Sequence, residues 1–149
     1  MSWIIELPVT RPLSLNDREH WATKARRVRE LRDAVTTLAR AAGIPHMTRA
    51  GIELNYSPRD RRRRDALNLT ATLKVCEDAI VAAGVIDDDC EPYLTSRMPQ
   101  LAPPNGKRGR LWLVVWDDSG PCTRCGGEGA VDAEFCMVTC PRCHGDGGA

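Results

Sequence analysis

The chain has almost no lysine. Only Lys24, Lys74 and Lys107 are lysines; the other 18 of the 21 basic residues are arginine, the side chain whose planar fork suits bidentate contacts to phosphate. It also lacks a secretory signal, because MSWIIELPVTRP offers only a short apolar run with no basic segment ahead of it. No window approaches the ~18 apolar residues of a membrane-spanning helix. These absences set the expectation of a cytoplasmic protein with no membrane partner. Seven cysteines are an odd number, and four of them fall in two CxxC pairs, which argues for a reducing compartment and metal thiolates over disulfides.

The net charge of +1 hides an asymmetry. Residues 1–75 carry 15 Lys/Arg against 8 Asp/Glu, a balance of +7, and residues 76–149 carry 6 against 12, a balance of −6. A phosphate-bearing partner is one reading of the basic half, and a solvated basic face is the other.

The length fits one domain with a small appendage. WIIELPV reads as a strand. A long helix follows, with Asn16 or Asp17 as its cap, Trp21, Val28, Leu31, Val35 and Leu38 as its apolar stripe, and Gly43 and Pro45 ending it. RAGIELNYSP alternates as a second strand. ALNLTATLKVCEDAIVAAG is a second helix ended by Gly84. A strand beginning near Cys90 or Glu91 follows, and RLWLVVW is a fourth. The expected architecture is therefore α/β (α+β), a mixed sheet of about four strands with two helices in the order β-α-β-α-β-β. It occupies 1–117, with a zinc-knuckle tail at 118–149.

In that tail Cys122-x2-Cys125 and Cys140-x2-Cys143 have the spacing of two metal-binding knuckles, one closed tetrahedral Zn²⁺ site per chain. So few apolar side chains surround them that metal would have to supply the folding energy. The CxxCGGxG and CxxCHGxG wording resembles the cysteine-rich repeats of DnaJ-type co-chaperones. No J-domain sequence accompanies it, so the resemblance implies zinc and not a chaperone.

The densest positive and negative runs flank the second helix: Arg61, Arg62, Arg63 and Arg64 before it, Asp87, Asp88 and Asp89 after it. Asp65 can cap the helix, and the aspartates can be a solvated turn. Three adjacent acids nevertheless repel unless arginine or a divalent cation neutralises them. Lys74 stands three and four residues before Glu77 and Asp78, placing a surface ion pair beside the alternative of a cation aimed at phosphate. Taken with the arginines, this set fits metal-assisted phosphodiester hydrolysis.

The order of basic run, Asp65-x-x-Asn68, Lys74, Asp78-Ala-Ile, Gly84-Val-Ile and Asp87-Asp88-Asp89 resembles the RusA family of Holliday junction resolvases. So does the earlier Pro12-Leu13-x-x-Asn16 ahead of a basic helix containing Trp21. The resemblance spans roughly residues 5–117. It implies a homodimeric endodeoxyribonuclease that cuts four-way DNA junctions with Mg²⁺. Asp65, Lys74, Asp89, Asp88 and Asn68 would be its catalytic residues, with Asp65, Asp89 and Asp88 holding the metal. Arg61, Arg62, Arg63, Arg64, Lys24, Arg26, Arg27 and Arg29 would contact DNA phosphates, and branched DNA and a second copy are the implied partners. One position departs from the pattern: Leu67 stands where Asp-x-Asp-Asn has its second acid. That departure keeps a junction-binding protein without cleavage as an alternative. A zinc-ribbon interaction adaptor is a further one.

Overall fold

The structure, a computed structural model, describes residues 1–14, 16, 18–120, 128, 130–133 and 136–139. Strand β1 (Ser2–Glu6) leads through a loop to helix α1 (Trp21–Ala41), then strand β2 (Ala50–Ser57). A 3-10 turn (Ala66–Leu69) runs into helix α2 (Thr70–Ala82). Short strands β3 (Leu94–Ser96) and β4 (Gln100–Leu101) precede β5 (Arg110–Asp117), and β6 (Ala130–Ala133) pairs with β7 (Cys136–Thr139).

A mixed sheet in the order β1-β5-β2-β3 forms the body, with β4 also pairing along β2. β5 lies antiparallel to both β1 and β2, while β3 and β4 run parallel to β2. Alternation decides the faces. Ile5, Leu113 and Leu54 share one register row and are buried, as are Leu111, Val115 and Ile52. Leu31, Val35 and Ala39 of α1 and Cys76, Ala79 and Ile80 of α2 complete this core. Each large aliphatic side chain buried there contributes about 1.5–3 kcal/mol. On the opposite face Ile4, Trp112, Val114 and Trp116 remain wholly or half exposed. There Arg97 stacks on the Trp116 ring at 4.4 Å and Arg110 on Trp112 at 4.7 Å. Gly51 is required beneath Trp116, since any Cβ would collide with the indole.

Both expected helices form, and Gly43 and Gly84 follow them with φ of 64° and 82°, the left-handed geometry that glycine accepts at helix ends. The finer order departs from expectation. A 3-10 turn precedes α2, and the strand expected near Cys90 starts at Leu94. Its physical reason is local: the Cys90 carbonyl accepts from Tyr93 N at 2.9 Å and Leu94 N at 3.1 Å, closing a turn, and Pro92 has no N–H for a ladder. The apolar stripe of α1 is also shorter than expected. Leu31 and Val35 are buried, Val28 and Leu38 are half-buried, and Trp21 is exposed. Among the described residues no helix is long and apolar enough to cross a membrane.

Candidate functional site

The loop after β1 is held to α2 and the 3-10 turn before it by two specific contacts. Leu13 drops into the core, and its carbonyl accepts the hydroxyl of buried Thr72 at 3.1 Å. Three residues on, the Asn16 side-chain amide donates to Asn68 Oδ1 at 3.3 Å. The Pro-Leu-x-x-Asn and Asp-x-x-Asn segments, 52 residues apart at these asparagines, thus meet.

They meet at a cleft of about 890 Å³. Arg11, Arg63, Arg64, Asp65, Ser14 and Asn68 supply its polar wall, and Leu13, Tyr56, Leu69 and Leu101 its apolar one. Asp65 begins the 3-10 turn in extended conformation and accepts from Leu67 N at 3.0 Å, while its carbonyl accepts from Asn68 N at 3.1 Å. This is the capping role that a short acid takes at a helix start.

Four consecutive arginines are not equivalent. Asp60 accepts from Arg64 Nη2 at 2.7 Å and stands 3.6 Å from Arg62 Nε. Arg64 also donates to the carbonyls of Asp60 and Arg62. The hydrogen bond from Arg64 holds the Asp60 carboxyl below its ordinary range. Arg61 and Arg63 are exposed and make no ion pair among the described residues. Asp60 was not anticipated, although its position four residues before Arg64 was a usable signal. Arg11, Ser14 and Tyr56 were also missed as cleft residues; Arg11 directly precedes the Pro-Leu motif.

Lys74 forms a second cluster on α2. Its ammonium pairs with Asp89 and lies 3.3 Å from Asp78 and 3.6 Å from Glu77. Glu77 in turn accepts from Ser96 Oγ at 2.6 Å. The Asp89 contact, then Asp78, raises the Lys74 pKa, and Lys74 holds Asp89 below the usual carboxylate range. Asp88 Oδ1 accepts from Asp89 N at 2.7 Å, and Asp87 meets His46 Nε2 at 3.0 Å. Lys74, Asp88 and Asp89 line no part of the arginine cleft, whereas Asp65 and Asn68 do.

The Mg²⁺ expectation is corrected by this arrangement. Among the described residues no group of three or more His, Cys, Asp or Glu is placed to hold a metal ion. Asp89 is already neutralised by Lys74, Asp65 is engaged in capping, and Leu67 presents exposed hydrocarbon where a further carboxylate was wanted. The expected Zn²⁺ ligands Cys122, Cys125, Cys140 and Cys143 lie outside the described residues.

Of the expected DNA contacts on α1, Arg27 pairs with Glu19, and Arg26 stands 3.9 Å from Glu30. Lys24 and Arg29 flank a shallow groove beside Trp21. No protein-family model matches the chain, and no curated protein matches it.

Proposed function

We propose that this chain is a cytoplasmic, RusA-like protein that binds four-way DNA junctions and acts on them as a structure-selective endodeoxyribonuclease, working as a pair of identical copies. The observation that carries the reading is the Asn16–Asn68 contact, which brings two separated segments of the resemblance to one arginine-walled cleft. Phosphates are seated by Arg61 and Arg63, whose guanidinium groups make no ion pair among the described residues. Such contacts place a backbone without reading bases, which suits a ligand recognised by its branched shape. In this reading Asp65 is the carboxylate beside the scissile phosphate. Lys74, held by Asp89 outside the cleft, takes no part in this step. Two copies related by a two-fold axis would deliver two symmetric cuts.

A second reading is junction binding without cleavage. Leu67 favours it, being 53% exposed at the position where the pattern has an acid, and so does the commitment of Lys74 to Asp89. The deciding experiment incubates wild-type, D65N and L67D protein with a four-way junction and with linear duplex, in buffers with and without chelator. The nuclease reading expects wild-type cutting of the junction alone and a loss of at least about a hundredfold in D65N with binding retained. Absent wild-type cutting that L67D restores would replace it with the second reading.

A further inference from the structure

Trp21 opens α1 and keeps 76% of its surface exposed, the one aromatic side chain among the exposed large hydrophobics of the described residues. Tryptophan carries more apolar surface than any other side chain, so leaving it in water forgoes a large burial term. The His20 ring lies 5.6 Å from it, tilted by 36°, and His20 also caps the helix by accepting from Ala22 N at 3.3 Å. The indole therefore sits at a fixed helix start.

What surrounds it is basic. Trp21, Lys24, Val28 and Arg32 follow one helical stripe, and the groove of about 480 Å³ along it is flanked by Lys24, Arg29 and Arg32, with Asp33 its single acid. Trp21 comes five residues after Asn16. A chain that short spans no more than about 18 Å, so the Trp21 backbone lies within that reach of Asn16, whose amide donates to the cleft residue Asn68. At 3.4 Å per nucleotide of one strand, that is roughly five nucleotides.

We propose that Trp21 is a stacking platform for a base exposed at the branch point of the DNA, with Lys24, Arg29 and Arg32 holding the neighbouring phosphates. This inference rests on the DNA-binding reading above and deepens it. Bases inside a duplex have both faces covered by their neighbours, whereas a branch point or a single strand offers a free face. The contact is thus available only where stacking is interrupted, and it gives shape selectivity without any base-specific hydrogen bond. The positive groove suits a polyanion, and a protein occupant would have to bring acids to it.

The test compares wild-type, W21A and W21F proteins on a four-way junction, on single-stranded oligo(dT) and on linear duplex. W21A should lose on the order of tenfold or more in affinity for the junction and for oligo(dT), with duplex binding changed less than about twofold. W21F should retain most of the affinity, yet lose the tryptophan quenching that oligo(dT) produces in the wild type, because Trp3, Trp112 and Trp116 are half-buried elsewhere. Equal losses on duplex and junction, or unchanged binding by W21A to all three, would overturn the platform. Unchanged W21A binding would leave the DNA reading standing. Wild-type protein that binds none of the three ligands would remove both. A W21A protein that binds DNA normally but changes from dimer to monomer in sedimentation would assign the groove to a second copy.

Discussion

The two charged runs that flank α2 look like mirror images in sequence and are opposites in structure. On the acidic side every member is engaged internally: Asp87 with His46, Asp88 with the Asp89 amide, and Asp89 with Lys74. On the basic side Asp60 ties Arg62 and Arg64 into the loop, and Arg61 and Arg63 are left facing water. Like charges in sequence repel unless something satisfies them, and the fold gives each acid an internal contact but, among the described residues, only two of the four arginines one. The difference is what makes the basic run the proposed seat for an outside anion, while on the acidic side Asp89 ties the segment after α2 back to Lys74.

The largest expected effect comes from removing the unsatisfied half. Changing Arg61 and Arg63 together to alanine should weaken junction binding by about tenfold or more and reduce the salt slope by close to two, one phosphate contact each. An unchanged slope would place the run away from DNA. The comparison is sharpened by the opposite change, D60A, which frees Arg62 and Arg64 and should raise affinity and steepen the slope.

A smaller effect is expected on the acidic side. K74A leaves Asp89, Asp78 and Glu77 without their shared cation, and the site is too solvated for more than about 1 kcal/mol, a few degrees in Tm. Its pH dependence follows from the two shifts. Asp89 is depressed from 3.8, so its contribution is present above that value and lost as pH falls through the lower folded one. Lys74 is raised from 10.5, so its contribution is present below that value and lost only as pH rises past the higher folded one. The Tm difference between wild type and K74A should therefore be level between about pH 5 and 10 and shrink progressively as the pH falls below about 4. A difference that peaks near neutrality would assign the effect to another group. The smallest change is expected for H46A, whose pair with Asp87 is exposed on both sides; thermal melts should move by less than about 0.5 kcal/mol.

Much of this arrangement was legible residue by residue. Asp65 as a helix-start cap, the Lys74–Glu77–Asp78 triplet, the buried Leu31 and Val35, and the glycines after both helices depend on neighbours within a few positions. Such contacts follow from helical spacing alone. Trp21 was misplaced by the same rule. Periodicity marks it as part of the stripe, but α1 begins at that residue and the surface packed on the core starts farther along, at Val28. The metal sites expected between Asp65 and Asp89 failed for a related reason. Spacing shows that two acids bracket a helix, and it says nothing about which cation reaches them first.

By itself the sequence determined the two helices and the strands β1, β2 and β5, through period and punctuation, and the side chains that pair along α2. Tertiary structure alone decided that Asn16 meets Asn68, that Lys74 is held by Asp89, and that Arg61 and Arg63 are the members of their run with no ion pair among the described residues. The first set is local, set by the geometry of one element at a time. The second depends on which surfaces of separate elements are brought within hydrogen-bond distance, and that is fixed by how the shared core of α1, α2, β2 and β5 packs.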